Sequence, residues 1–570
     1  MDQRVHERGR PARPVPRRAH RARRAAGVTL AVIALAACSS AKGSAGGKPS
    51  GGAATTAPAS AAPRPKCTST VPTPAAQPVK HSKSDWTVTS FDGSQIRAHW
   101  FPVAGASASK PAPTILMGPG WSLSGDIDTG TSKVGLLGAL TIADLHQAGY
   151  NVLTWDPRGF GMSTGSVEVD SPAYEGRDVS ELISWVASRP GVKLDATNDP
   201  RVGMVGASYG GGIQFVTAAR DCRVDVIAPT IAWHSLASSL YKTEIVKAGW
   251  SGLLETAATG HALDPHITSA YQSGKTTGQL DAADRAWFIA RGPGDLVKQV
   301  DVPTLIVQGT VDTLFTLDEG VTNYRILREK GVPVSMLWYC SGHGVCLTKT
   351  GDPQRSKRAT IAWLAHYLKG ETSTSTGPRF SFVDQNGVEY TADDYPLPSG
   401  IPFTGTGSGT LPLVATGGSG PAHIPAGNTD LLAGFAGAIM PAPAENAVNV
   451  PITTGSRTGV VLGAPKLQIS YQGTVAAGVR PTRVFAQLVD ETTGLVVGNQ
   501  VTPIAVTLDG KPHTATSPLE IVAFTVKPGA KLKLQVVATT VAYAQPRLGG
   551  SVTFSKVSIV LPVAATLKAH

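Results

Sequence analysis

Gly206-Ala207-Ser208-Tyr209-Gly210 is the residue pattern in this chain best suited to chemistry. A serine hydroxyl is a weak nucleophile near neutral pH. It needs a base to take its proton and a third group to orient that base. Two later residues fit those roles: Asp312, in Gly309-Thr310-Val311-Asp312-Thr313, and His343, in Cys340-Ser341-Gly342-His343-Gly344. Serine, then acid, then histidine is one of the chain orders in which such triads occur. The rivals are worse placed. Asp318 falls in the helix expected after Asp312, and His234 precedes the acid. His261 and His266 sit in a helical insertion, and His366 in a closing helix. The expected reaction is attack by Ser208, with His343 as base and Asp312 holding its tautomer, to form an acyl-enzyme that water then releases.

Each of these residues needs an element to carry it. An apolar strand over 201–205 leads into the serine turn, and a helix over 211–220 follows. A tight strand-to-helix turn lifts the hydroxyl to the sheet edge, where the Tyr209 backbone N–H can meet a developing oxyanion. Strands over 304–308 and 334–339 end just before Asp312 and His343. The loop after a strand at 114–117, Gly118-Pro119-Gly120-Trp121, offers Trp121 as second oxyanion donor or pocket wall. Further strands at 86–90, 96–101, 151–155 and 224–228 alternate with helices at 136–147, 174–188 and 355–368. This alternation predicts an α/β fold with a mostly parallel sheet covered on both faces. Residues 236–298 interrupt it with helical patterns carrying Trp250, Tyr271, Trp287 and Phe288, and read as a cap over the site. The Asp156-Pro157-Arg158-Gly159-Phe160-Gly161-Met162-Ser163 loop reads as structural support near the elbow.

Beyond a polar linker at 372–377 the texture changes to short β-branched runs at 466–471, 483–488, 520–526, 532–538 and 552–561, as in an all-β sandwich. The expected organisation is a signal peptide over 1–37, a tether and lead-in over 38–84, an α/β domain over 85–371 with its cap, and a β-sandwich over 378–570.

Residues 1–24 hold nine arginines against two acids, and a short apolar run from Ala25 through Ala37 follows, ending in Leu35-Ala36-Ala37-Cys38. That is the pattern of a secretory signal peptide. The last four residues resemble a bacterial lipobox in which Cys38 is lipidated, giving an extracytoplasmic protein anchored to the membrane. The chain's formal charge of +11 falls to +4 once this segment is set aside, so nothing points to nucleic acid. Cys67, Cys222, Cys340 and Cys346 can then pair outside the cytosol. A Cys340–Cys346 bridge would fix the loop of His343, and Cys67–Cys222 would tie the lead-in to the core. No metal-ligand spacing occurs, and no cofactor is expected. These patterns carry no sign of oligomeric state.

The Asp156–Ser163 loop, Glu175 and Asp178 with Ser184-Trp185-Val186, the elbow at Ser208 and the strand ending near Trp233 together resemble the S15 peptidase group. This group includes Xaa-Pro dipeptidyl-peptidases and cocaine-esterase-type hydrolases. The resemblance implies an α/β-hydrolase fold with a helical cap and a C-terminal jelly-roll-like domain. It also implies hydrolysis of a small ester, an amide or a short peptide. Family members often carry an oxyanion-hole tyrosine where this chain has Gly120-Trp121-Ser122, and an aspartate where it has His234. The competing reading is a non-catalytic cell-surface lipoprotein that binds a ligand on a hydrolase scaffold.

Overall fold

The computed structural model describes residues 77–131, 140–425 and 433–570. The expected signal segment, Cys38, Cys67 and residues 136–139 lie outside the described residues.

Twelve strands form one large sheet. In spatial order they are Val79–Lys80, Asp85–Thr89, Gln95–Phe101, Asn151–Trp155, Thr114–Gly118, Val202–Ala207, Val224–Thr230, Thr304–Gly309, Val334–Tyr339, Phe380–Val383, Glu389–Ala392 and Lys568–Ala569. The run from Asn151–Trp155 to Phe380–Val383 is parallel. Antiparallel strands close both edges. The central strands are buried almost throughout and mostly apolar because helices cover both faces. Side chains alternate between the two cores. Leu116, Leu153 and Met204 pack with Leu182, Trp185, Ile213 and Leu327 from the helices Glu175–Ala187, Tyr209–Arg220 and Leu317–Lys330. Their neighbours Ile115, Val152 and Val205 pack on the other face with Leu145, Trp363 and Leu364 from Ile142–Gln147 and Arg355–Tyr367.

Two boundaries differ from expectation. The first helix begins at Ile142, where Thr141 and Asp144 cap each other's backbone N–H groups and set the start. The large sheet also continues past the expected domain boundary at 371–378. Phe380–Val383 and Glu389–Ala392 extend it, with Phe380 against Trp338 at 4.8 Å between ring centroids.

The remaining chain is an all-β region of antiparallel sheets. Strands including Phe403–Pro412, Ala447–Thr453, Lys466–Val475, Arg483–Asp490, Leu532–Val537 and Gly550–Leu561 make a second large sheet. Its inward residues Val450, Ile469, Leu534 and Val557 share a core with Val461 and Phe524 of the paired strands Gly459–Gly463 and Val522–Val526. Core residues Leu462, Ile521 and Ala523 join the core of the large sheet, so the two regions meet through packed apolar surface.

The cap consists of helices Leu236–Leu240, Ala248–Ala257, Pro265–Thr277 and Ala282–Ile289. Trp250 and Trp287 from the cap pack in one cluster with Trp121, Phe160, Tyr209, Trp233 and Phe315 from the sheet side. Among the described residues, no helix is long and apolar enough to cross a membrane.

Candidate active site

The strand Val202–Ala207 ends at Ser208, whose backbone sits at φ 58° and ψ −116°, and the helix Tyr209–Arg220 starts at the next residue. A non-glycine residue held there costs on the order of 1–3 kcal/mol and needs its surroundings to fix it. The glycines on either side make the turn possible. A Cβ on Gly210 would lie 2.1 Å from the Gly118 carbonyl oxygen, and one on Gly206 2.6 Å from the same atom. This close approach explains the small residues around Ser208.

The three predicted residues meet. His343 Nε2 lies 2.8 Å from Ser208 Oγ, and His343 Nδ1 lies 2.7 Å from Asp312 Oδ2. A carboxylate can only accept, so Nδ1 carries the proton and Nε2 is left free to accept from the serine hydroxyl. Asp312 is held in turn by its own loop. Its Oδ1 accepts from the backbone N–H groups of Leu314 and Phe315 at 2.9 and 2.8 Å, and its Oδ2 accepts from the His343 N–H at 3.0 Å. All three side chains are buried. Phe315 and Trp250 meet the imidazole edge-on at 5.1 and 5.7 Å. The rival Asp318 lies elsewhere, in an ionic cluster with Lys242 and Glu520. His234 is bonded to Asn323.

Residues 92–345 match the X-Pro dipeptidyl-peptidase (S15) family. The matched stretch includes Ser208, Asp312 and His343. Solved structures of similar fold include an aminopeptidase from a marine-sediment archaeon, Thaumarchaeota archaeon. It is 13% identical with a TM-score of 0.62, covering 85% of this chain and 96% of that one. A CocE/NonD family hydrolase from Staphylococcus aureus gives 13% identity and a TM-score of 0.59, over 84% of this chain and 93% of that one. An alpha-amino acid ester hydrolase gives 12% identity and 0.61, over 84% and 96%. At these identities the likeness establishes the α/β-hydrolase fold with its all-β C-terminal region. An uncharacterized 31.7 kDa protein of Escherichia coli is 36% identical over 87 residues, which are 15% of this chain and 29% of that protein.

The expected oxyanion donors flank the nucleophile. As the first residue of its helix, Tyr209 has a backbone N–H without an intrahelical acceptor. Trp121 also lies at the site. Its indole N–H donates to the Leu254 carbonyl of the cap at 2.9 Å, while its backbone N–H donates to no carbonyl of the described residues. The Cys340–Cys346 disulfide forms and brackets His343. Cys222 is also disulfide-bonded, and its expected partner Cys67 lies outside the described residues. Among the described residues, no group of three His, Cys, Asp or Glu could hold a metal.

The Asp156–Ser163 loop braces the core beside the elbow. Asp156 accepts from the Gly125 and Met162 N–H groups at 2.8 and 2.7 Å, and Arg158 makes two 2.7 Å bonds to Asp178. Glu175 links this region to the elbow. It accepts from the Glu168 and Ser171 N–H groups and from the Tyr209 hydroxyl. Burial, reinforced by Asp178, pushes its carboxyl up to about 8. Burial, then Glu175, raises neighbouring Asp170 well above the usual carboxylate range.

A cavity of about 120 Å³ opens over Ser208 beneath the cap. Trp121, Trp233, Leu240, Leu254 and Phe288 make its walls almost wholly apolar. Glu255 also reaches it, and among the described residues its carboxylate has no ion-pair or hydrogen-bond partner.

Sequence reasoning missed how the cap is fastened to the base. Trp250 Nε1 donates to Thr313 Oγ1 at 3.0 Å, and that hydroxyl donates to the His343 carbonyl at 3.3 Å. Trp250 stood out in the sequence only as a cap aromatic, since nothing local marks a bond across 63 residues.

Proposed function

We propose that this S15-type hydrolase is a serine enzyme that cleaves an ester or amide bond through an acyl-enzyme on Ser208. The 2.8 Å contact between His343 Nε2 and Ser208 Oγ, backed by Asp312, carries the reading. His343 takes the serine proton as Oγ attacks the carbonyl carbon, and the Tyr209 and Trp121 N–H groups receive the oxyanion. The protonated imidazole then gives its proton to the leaving group as the scissile bond breaks. Water attacks the acyl-enzyme by the same route and restores the serine. The apolar cavity favours a substrate whose acyl part is uncharged and bulky.

Glu255 supports a second reading, in which the substrate carries a free amine, as in a short peptide or an amino-acid ester. Paired assays on a p-nitrophenyl ester and a dipeptidyl-p-nitroanilide separate the two readings. Glu255→Gln would weaken only amine-bearing substrates. Labelling by a fluorophosphonate probe, lost in Ser208→Ala with the melting curve retained, tests the mechanism. A wild-type protein that stays unlabelled and inactive on both substrates would favour the non-catalytic binding reading instead.

Secretion and membrane anchoring through Cys38 form part of this proposal, supported by the Leu35-Ala36-Ala37-Cys38 string. Incorporation of labelled palmitate in a bacterial host, lost in Cys38→Ala, is the test.

A further inference from the structure

The loops that carry the acid and the base behave as one unit. A Cβ on Gly309 would lie 2.2 Å from the Ser341 carbonyl oxygen, and one on Gly342 2.7 Å from the Asp312 Cβ. Side chains from the all-β region grip this unit from outside. Gln500 Nε2 donates to the Asp312 backbone carbonyl at 2.7 Å, and Asn499 Nδ2 donates to the Val345 carbonyl at 2.9 Å. Both amides are buried, so each bond replaces water that is not available there. The turn that presents them is itself constrained. Gly498 and Asn499 sit consecutively at φ 69° and 55°. Asparagine tolerates that region better than most residues. The Gly498 N–H donates to Gln385 Oε1 at 2.7 Å, and Gln385 follows the strand Phe380–Val383 of the large sheet.

The Asp312 carboxylate is already satisfied by its own loop, so its remaining free polar atom is the carbonyl that Gln500 takes. The Val345 carbonyl stands two residues past the base. Neither amide touches the reacting atoms. Each instead ties one of the two strand-end loops to the all-β region.

We propose that Asn499 and Gln500 are positioning residues, through which the all-β region sets the alignment of Asp312 and His343 against Ser208. The proposal rests on the serine-hydrolase reading. Misplacing a catalytic group by about 1 Å costs on the order of 100-fold in rate. Loss of one of these clamps, followed by partial relaxation, is expected to cost about 10- to 100-fold.

The test uses the full chain and a p-nitrophenyl ester. Gln500→Glu keeps the side-chain shape but faces a carbonyl with an acceptor, and Asn499→Gly keeps the left-handed backbone but removes the amide. Asn386→Ala is the control, because Asn386 Nδ2 makes a comparable 2.9 Å bond to the Thr525 carbonyl away from the triad. The expected result is a fall in kcat of about 10-fold or more in both variants, with KM changed less than about twofold and a displaced acidic limb of the kcat/KM profile. Asn386→Ala should leave all three unchanged. Restoring an amide with Asn499→Gln should recover part of kcat relative to Asn499→Gly. An active wild type with unchanged kcat in both variants overturns the positioning role alone. So does a loss that follows the melting temperature equally in all variants, Asn386→Ala included. A wild type without ester turnover or probe labelling overturns the serine-hydrolase reading as well.

Discussion

Gly344→Ala puts the close packing of the acid and base loops to a direct test. A Cβ at residue 344 would stand 1.9 Å from the Val311 carbonyl oxygen, where real contacts do not fall below 3.0 Å. The obstacle is backbone, so no rotamer relieves it. The two loops must part by about 1 Å, and the displaced residues are the immediate neighbours of His343 and Asp312. The imidazole now bonds Ser208 Oγ at 2.8 Å and Asp312 at 2.7 Å. A shift of that size breaks at least one of these bonds, and kcat should fall by about 100-fold or more. The assay is kcat on a p-nitrophenyl ester, read beside a urea melt that confirms the variant is folded. Gly252→Ala, in the cap helix Ala248–Ala257, is the matched control. A Cβ there meets nothing within 4 Å, and helix propensity favours alanine by up to about 1 kcal/mol. A folded Gly344→Ala protein that keeps kcat within about threefold would refute the reasoning, because the loops would then tolerate separation without loss of alignment.

Two further outcomes follow from the buried charges. Arg158→Ala leaves Asp178 buried without its two-bond partner and should cost about 3–5 kcal/mol in a urea melt, while the paired change Arg158→Met with Asp178→Leu should recover most of it. Glu175 should make stability fall with rising pH. Its folded value, about 8, lies above its unfolded one, so the folded state holds a proton that the unfolded state has already released. The loss begins near the unfolded value and is complete above about pH 8, with a size on the order of 5 kcal/mol. Glu175→Gln should flatten this slope between pH 5 and 8, as measured by melts across that range; an unchanged slope would show that Glu175 is already ionised.

The meeting of Ser208, Asp312 and His343 could be read from the sequence because each follows a short apolar strand and is flanked by residues that only a tight turn requires. The Gly206–Gly210 string predicts the strained serine at φ 58°, and the strand ending at Gly309 predicts where Asp312 emerges. Boundaries were harder. The helix expected from residue 136 begins at Ile142, since the Thr141–Asp144 cap stops it, and a capping pair is a weak signal inside a longer apolar stretch. Phe380–Val383 reads like any strand of an all-β region. Its parallel pairing with Val334–Tyr339, and its contact with Trp338, show that it extends the large sheet. The grip of Asn499 and Gln500 was invisible, because amide bonds spanning 154 and 188 residues leave no local pattern.

The roof over the cavity shares a bolt with the machinery beneath it. Thr313 accepts from the Trp250 indole and steadies the imidazole loop with the same hydroxyl. A helix swung aside far enough to bare the cavity would surrender that bond, leaving the base slack just as bulk water arrived. Under the proposed serine mechanism, covering the cavity and holding the base thus depend on one hydroxyl.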